Sequence, residues 1–276
     1  MRSTARDDRQ RPPVDETRTS GHRWDRVHDV DVFSICSGPD PATTGGATGH
    51  DVVLLHGLGM SNRYLEPSLR ELAVARRVFA PDLPGVGRSS RASRELSMAE
   101  FADGLRDWMD VVGVGPAVVV GHSLSCHVAA HLAARHPSRV VAVVLASPGR
   151  DPAHRSRWQQ AWWLFVDGFR ERPSMVGIAF RDYTRIGARR MLRTLRRASR
   201  DDAPSLRQIR QPTLVVYGDR DPLVSPDHAE RLVRDLPEAS LAVIPGGPHG
   251  IPYSTTEPFV QALRLFLDGV EAPRPA

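Results

Sequence analysis

Val118-Val119-Val120-Gly121-His122-Ser123-Leu124-Ser125 is the stretch on which the fold turns. Three consecutive valines have the β-branched, unbroken apolar character of a strand buried on both faces. Gly-His-Ser follows without a spacer, and from Leu124 the apolar residues recur at helical spacing as Leu124, Val128 and Leu132. A strand that runs into a serine and at once into a helix is the setting of a nucleophile elbow, G-x-S-x-G. The turn must be tight to lift the serine Oγ above the sheet, and small residues two before and two after it let strand and helix approach. Here those residues are Gly121 and Ser125. Ser125 adds a Cβ and a hydroxyl where the pattern has glycine, so the fit is tighter. The plainer alternative is a strand-to-helix turn with a capping serine.

A serine nucleophile needs a base and an orienting acid. His249 stands in the loop Gly246-Gly247-Pro248-His249-Gly250 after the last expected strand, on no apolar face, and is the expected base. Asp219 and Asp221 both follow the run Val215-Val216-Tyr217, and Asp151 follows Val140–Ala146. Asp221 is the expected acid. Asp219 is a second candidate, though it could instead be a loop cap with a local hydrogen bond, and Asp151 is the third. The order Ser123, Asp221, His249 is that of a triad on a strand–turn–helix scaffold. Acyl chemistry also needs donors for a developing oxyanion. His56-Gly57-Leu58-Gly59 follows the run Val52–Leu55, so the backbone amides of Leu58 and Leu124 are the expected donors.

Working outward, valine-rich runs at Val52–Leu55, Val78–Ala80, Ala117–Val120, Val140–Ala146, Thr213–Tyr217 and Leu241–Ile244 alternate with helical patterns. The helical patterns are Tyr64–Ala73, Met98–Val112, Leu124–His136, Pro226–Leu236 and Thr256–Gly269. This alternation predicts an α/β fold, a mostly parallel central sheet with helices on both faces. Between Pro148 and Arg210 it breaks, and that stretch reads as an inserted helical lid. The expected organisation is a core at 27–147 and 211–270, a cap at 148–210 and a C-terminal tail at 271–276. Residues 1–26 alternate arginine with aspartate and glutamate and carry few apolar residues, which reads as a disordered tail. Val27–Cys36 reads as a β-like stretch.

The residues quoted so far, with Asp82-Leu83-Pro84-Gly85-Val86-Gly87-Arg88-Ser89 and Gly218-Asp219-Arg220-Asp221, resemble the α/β-hydrolase superfamily over residues 27 to 270. The resemblance covers four motifs in order: the oxyanion loop at His56–Gly59, the loop after the fourth strand, the elbow and the acid motif. It implies the serine-nucleophile branch with a helical cap, and it places the acid at Asp221. Ser125, where the family usually has glycine, is the departure.

The lid bears on specificity. Trp158, Trp162, Phe165 and Phe169 recur at one helical face and either dock the lid or wall a pocket for an apolar or aromatic acyl group. Arg185, Arg189, Arg190, Arg193, Arg196, Arg197 and Arg200 form a basic stretch, either a solvated face or an attractor for an anion.

Composition narrows the function further. The 37 basic residues are all arginine, so lysine Schiff bases and P-loop chemistry are excluded. A net charge of +5 without a recognition motif gives no ground for a nucleic-acid partner. Two cysteines exclude a disulfide scaffold. Gly85-Val86-Gly87 and Gly113-Val114-Gly115 lack the third glycine of a dinucleotide fingerprint. His127 and His131 have the i, i+4 spacing of a zinc site, but no glutamate follows His127; they share a side with Arg135 and are expected to be exposed. No run is long enough to span a bilayer, and without a secretory signal the cytoplasm is the default compartment. The expectation is a hydrolase, free of metal and cofactor, that cleaves a small-molecule ester, thioester or activated C–C bond through an acyl-enzyme. An acyltransferase or perhydrolase with the same triad, or a ligand receptor on the same fold, are the alternatives. Oligomeric state is not readable from the sequence.

Overall fold

The computed structural model describes residues 18–39, 49–57, 59–149, 163–164, 166–187, 193, 204 and 206–272. Its strands are β1 (Arg18–Val27), β2 (Val30–Pro39), β3 (Val52–Leu55), β4 (Val78–Pro81), β5 (Ala117–His122), β6 (Val140–Ala146), β7 (Thr213–Gly218) and β8 (Ala239–Ile244). They form one sheet in the order β1-β2-β4-β3-β5-β6-β7-β8. From β4 to β8 every neighbour is parallel, while β1 and β2 form an antiparallel hairpin whose second strand joins β4 antiparallel.

The helices are α1 (Glu66–Leu72), α2 (Met98–Val112), α3 (Ser125–Arg135), α4 (Pro173–Ile186), α5 (Pro226–Asp235), α6 (Ile251–Ser254) and α7 (Thr256–Glu271). Strand residues alternate between two cores. Val53, Leu55, Val119, Val143 and Val215 face α2, α3 and α5, whereas Val52, Leu54, Val118, Val144 and Val216 face α1 and α7. Both sets are buried, so these strands read as unbroken apolar runs. Each such side chain contributes about 1.5–3 kcal/mol by leaving water. Local signals fix the helix ends. At α2, Ser97 accepts from Glu100 N–H and Glu100 accepts from Ser97 N–H, while Gly113 closes the helix at φ 74°.

The topology positions the site. After β3 the chain moves outward to β4, then crosses back to place β5 on the other side of β3. Direction reverses between β3 and β5, which is where open α/β sheets bind ligands. Leu55 pairs with Gly121, so the loops leaving these two strands start side by side.

Four expectations need correction. The disordered tail at 1–26 is wrong from Arg18 onward, because β1 occupies Arg18–Val27. Positions 21–26 alternate between half-buried and exposed. The half-buried ones are Gly21, Arg23 and Asp25, with Arg23 and Asp25 paired at 2.9 Å, so the strand period carries no apolar signature. The β-like stretch from Val27 is accordingly a hairpin, with Trp24 packed on Phe33 at 5.3 Å between ring centres. The C-terminal tail begins later than 271, since α7 includes Glu271, which pairs with Arg76 at 2.8 Å. His131 is buried rather than exposed, because its side of α3 faces α2, where Arg135 pairs with Asp103 at 2.8 Å. Among the described residues no group of His, Cys, Asp and Glu is arranged to hold a metal, and no helix is long and apolar enough to cross a membrane.

Candidate active site

Ser123 sits at the turn between β5 and α3 with φ +56°. A left-handed conformation is uncommon for a residue with a Cβ and marks a turn under strain. The glycine two residues earlier is a steric requirement. A Cβ on Gly121 would lie 2.6 Å from Ser125 O and 2.8 Å from Cys126 Cα. Ser125 is not merely a tight fit. Its buried hydroxyl accepts from His122 N–H at 2.9 Å and lies 2.9 Å from both Leu55 C=O and His122 C=O. It bridges the elbow to the end of β3, a contact glycine cannot make.

His249 Nε2 lies 2.9 Å from Ser123 Oγ, and His249 Nδ1 lies 2.9 Å from Asp221 Oδ2. The Asp221 side chain is fully buried. Its oxygens only accept while ionised, so Nδ1 carries a proton, and when the ring is neutral it is Nε2 that accepts from Ser123. Burial opposes charge on His249, but Asp221, followed by Asp167 and Glu171, outweighs it and pushes the imidazole up to about 9. Burial likewise raises Asp221, and the charge and hydrogen bond of His249 outweigh it, leaving the carboxyl below its ordinary value. Asp219 is used locally: its Oδ1 accepts from Gly246 N–H at 2.7 Å. Asp151 lies outside the described residues.

The loops are brought together by backbone contact. Gly218, at the end of β7, approaches the His249 loop so closely that a Cβ there would lie 2.0 Å from Gly247 O. On the other flank, Gly57 N–H donates to the Tyr64 hydroxyl at 2.6 Å, and that oxygen lies 2.8 Å from His122 Nδ1. His122 Nε2 lies 2.8 Å from His249 C=O. A carbonyl only accepts, so Nε2 is protonated, Nδ1 is bare, and Tyr64 O–H donates to it. Burial, reinforced by the charge of His249, holds His122 at about 3, which keeps the ring neutral as this pattern requires. The Gly57 loop, the elbow and the His249 loop are thus joined by one hydrogen-bonded relay.

Leu124 follows Ser123 and is the N-cap of α3, at the end of the helix where unpaired amides gather. Leu58 lies outside the described residues, but its neighbour Gly57 is packed against the elbow: a Cβ on it would sit 3.2 Å from His122 Nδ1 and 3.4 Å from Ser123 Cβ. The Asp82–Ser89 loop supports this side. Asp82 accepts from Asn62 N–H at 2.7 Å and Arg88 N–H at 2.9 Å. Leu83 N–H donates to His56 Nε2 at 2.8 Å. Gly87 is required here, at φ +58° and with its Cβ position 2.1 Å from Asp82 Oδ2.

Of the four lid aromatics, Trp158, Trp162 and Phe165 lie outside the described residues. Phe169 is 79% exposed and does not form an apolar wall. Residues 166–168 are helical, but 169–170 form a turn, so the helical spacing that aligned Phe169 with the others ends just before it. The sequence reading missed three carboxylates of the inserted segment. Asp182 of α4 accepts from Ser61 N–H at 2.7 Å and Ser61 O–H at 2.6 Å. Asp167 accepts from His249 N–H at 3.0 Å, and Glu171 accepts from Gly250 N–H at 2.5 Å. Each meets a partner more than 70 positions away in the chain, so no local spacing marks it.

A mostly parallel sheet that carries a Ser–His–Asp hydrogen-bonded chain across its strand ends has the architecture of an α/β hydrolase. Residues 52–262 match the alpha/beta hydrolase family, and the chain belongs to it. It is 30% identical, over 79% of its length and 93% of the relative's, to the pimeloyl-[acyl-carrier protein] methyl ester esterase of Neisseria meningitidis. It is also 30% identical to the dihydrolipoyllysine-residue acetyltransferase component of the acetoin cleaving system of Pseudomonas putida. That match covers 81% of this chain but only 65% of the relative. A membrane phospholipase A superposes with a TM-score of 0.80 at 21% identity, covering 92% of this chain and 87% of that one, a likeness of fold. The first relatives it matches are longer proteins, of which it spans 65% and 55%.

Proposed function

We propose that Ser123 is the nucleophile, His249 the general base and Asp221 its orienting acid in hydrolysis of a small-molecule carboxylic ester or thioester. An activated C–C bond next to a carbonyl is open to the same chemistry. The observation that carries this reading is the unbroken chain Ser123 Oγ–His249 Nε2, His249 Nδ1–Asp221 Oδ2, with 2.9 Å at each link.

Ser123 Oγ adds to the carbonyl carbon while its proton passes to His249 Nε2. The oxyanion is met by the amides of Leu124 and Leu58. His249 then protonates the leaving oxygen or sulfur as its bond to carbon breaks. Water, deprotonated by the same nitrogen, releases the acid and regenerates Ser123. An apolar or aromatic acyl group is proposed from the spacing of Trp158, Trp162 and Phe165. Acyl transfer is the second reading, favoured by the acetyltransferase name of the Pseudomonas relative; added thiol or alcohol would then divert the acyl group from water.

A fluorophosphonate probe is expected to label wild type and not Ser123→Ala, with kcat lower by about 10⁴ or more. Asp221→Asn should lose activity on a similar scale and Asp219→Asn only mildly. Labelling retained in Ser123→Ala, or the reverse order of the two aspartates, overturns the assignment.

A further inference from the structure

We propose that Asp167 and Glu171 are positioning residues that hold His249 from the inserted segment, making that segment part of the reacting apparatus. The proposal rests on the reading of His249 as the base.

The two carboxylates stand four residues apart, with Glu171 N–H donating to Asp167 C=O at 3.1 Å, and take consecutive backbone amides. Asp167, 4% exposed, accepts from His249 N–H at 3.0 Å. Glu171 accepts from Gly250 N–H at 2.5 Å and from the Ser254 hydroxyl. Bonds from amides to ionised carboxylates are the stronger kind. Gly250 is shaped to this contact, since a Cβ there would lie 2.6 Å from Glu171 Oε1. Between the two acids, Arg170 Nη1 donates to Arg220 C=O at 2.6 Å, on the loop that carries Asp221. One stretch of five residues therefore fastens both the acid loop and the histidine loop.

The imidazole of His249 is held at Nδ1 by Asp221 and faces Ser123 at Nε2. That ring is held in place only if its own backbone is fixed, and Asp167 and the C=O contact from His122 fix it on either side of the residue. The two acids also act through charge. The groups around His249 are Asp221, Asp167, Glu171 and the neutral ring of His122, centred 5.2 Å away. Those affecting Asp167 are His249, Glu171 and Asp221, and Asp167 in turn affects Tyr183. Burial, offset in part by His249 and reinforced by Glu171, brings Asp167 to about 7. Above that pH its charge favours protonated His249, so removing it lowers the pH at which the base becomes free.

The test is the pH dependence of kcat and KM on a p-nitrophenyl ester for Asp167→Ala, Asp167→Asn, Glu171→Ala and Glu171→Gln in the full chain. The alanine variants are expected to lose kcat by about tenfold to a hundredfold, the scale of an ångström-sized misplacement, with little change in KM. Asp167→Asn keeps an oxygen for the amide and drops the charge. It should recover part of that loss and move the acid limb of kcat/KM to lower pH. Folded alanine variants with wild-type kcat and limb overturn the proposal. If they fail to fold, an unmoved limb in both Asp167→Asn and Glu171→Gln overturns it. Activity surviving in Ser123→Ala would instead reject the underlying assignment, so the two failures are distinct.

Discussion

Ser123 holds its φ at +56° with a side chain that disfavours it. The left-handed region costs an L-residue roughly 1–2 kcal/mol, and glycine escapes most of it. Ser123→Gly should therefore melt at a higher temperature than Ser123→Ala, although both lack the proposed nucleophile. Equal melting of the two would show that the turn stores no strain. His249 gives a second expectation at this scale. Only the unprotonated ring accepts the proton of Ser123, and its carboxylate neighbours push it up to about 9. The acid limb of kcat/KM is thus expected well above the ordinary histidine value of about 6.5. A limb at or below 6.5 would contradict the charge balance described for this pocket. Ser123 and His249 are both legible in the sequence, because a tight turn and a glycine-flanked loop histidine have local signatures. Tyr64 and Asp167 are not, since each acts on residues from distant segments.

Elements meet at this site through missing side chains. Gly218 ends β7 against Gly247, and a methyl group there would overlap backbone atoms at 2.0 and 2.4 Å. Backbone cannot swing aside as a flexible side chain would, so the loops bearing Asp221 and His249 would part. Gly218→Ala is expected to lower kcat about a hundredfold, with a stability loss of about 1–3 kcal/mol by chemical denaturation. Wild-type kcat in a folded Gly218→Ala would show that the contact is dispensable. Strands β3 to β7 were readable because each is buried on both faces, which leaves an apolar run that needs no partner to be noticed, whereas β8 carries such a run with Leu241 and Val243 exposed. β1 hid for the opposite reason. As an edge strand it places Arg23 and Asp25 at half-buried positions and Trp24 outside, so neither its composition nor its alternation resembles a strand.

Over the whole molecule, β1 closes one side of the sheet by pairing along the full length of β2. Deleting residues through Val27 would leave the outer edge of β2 open to another chain. The shortened protein should melt lower and scatter light as its concentration rises. Its soluble fraction should still be labelled at Ser123, since β5 lies four places along the sheet. Unchanged melting without association would show that the hairpin contributes little. The same architecture sets a timetable for synthesis. Ser123 and His249 are 126 positions apart in the chain. At roughly 5–20 residues per second, on the order of 6 to 25 seconds pass between the ribosome adding the serine and adding the histidine. Through that interval the elbow lacks the base proposed for it. A nascent chain, or a fragment released early, carries the proposed nucleophile without its proposed base.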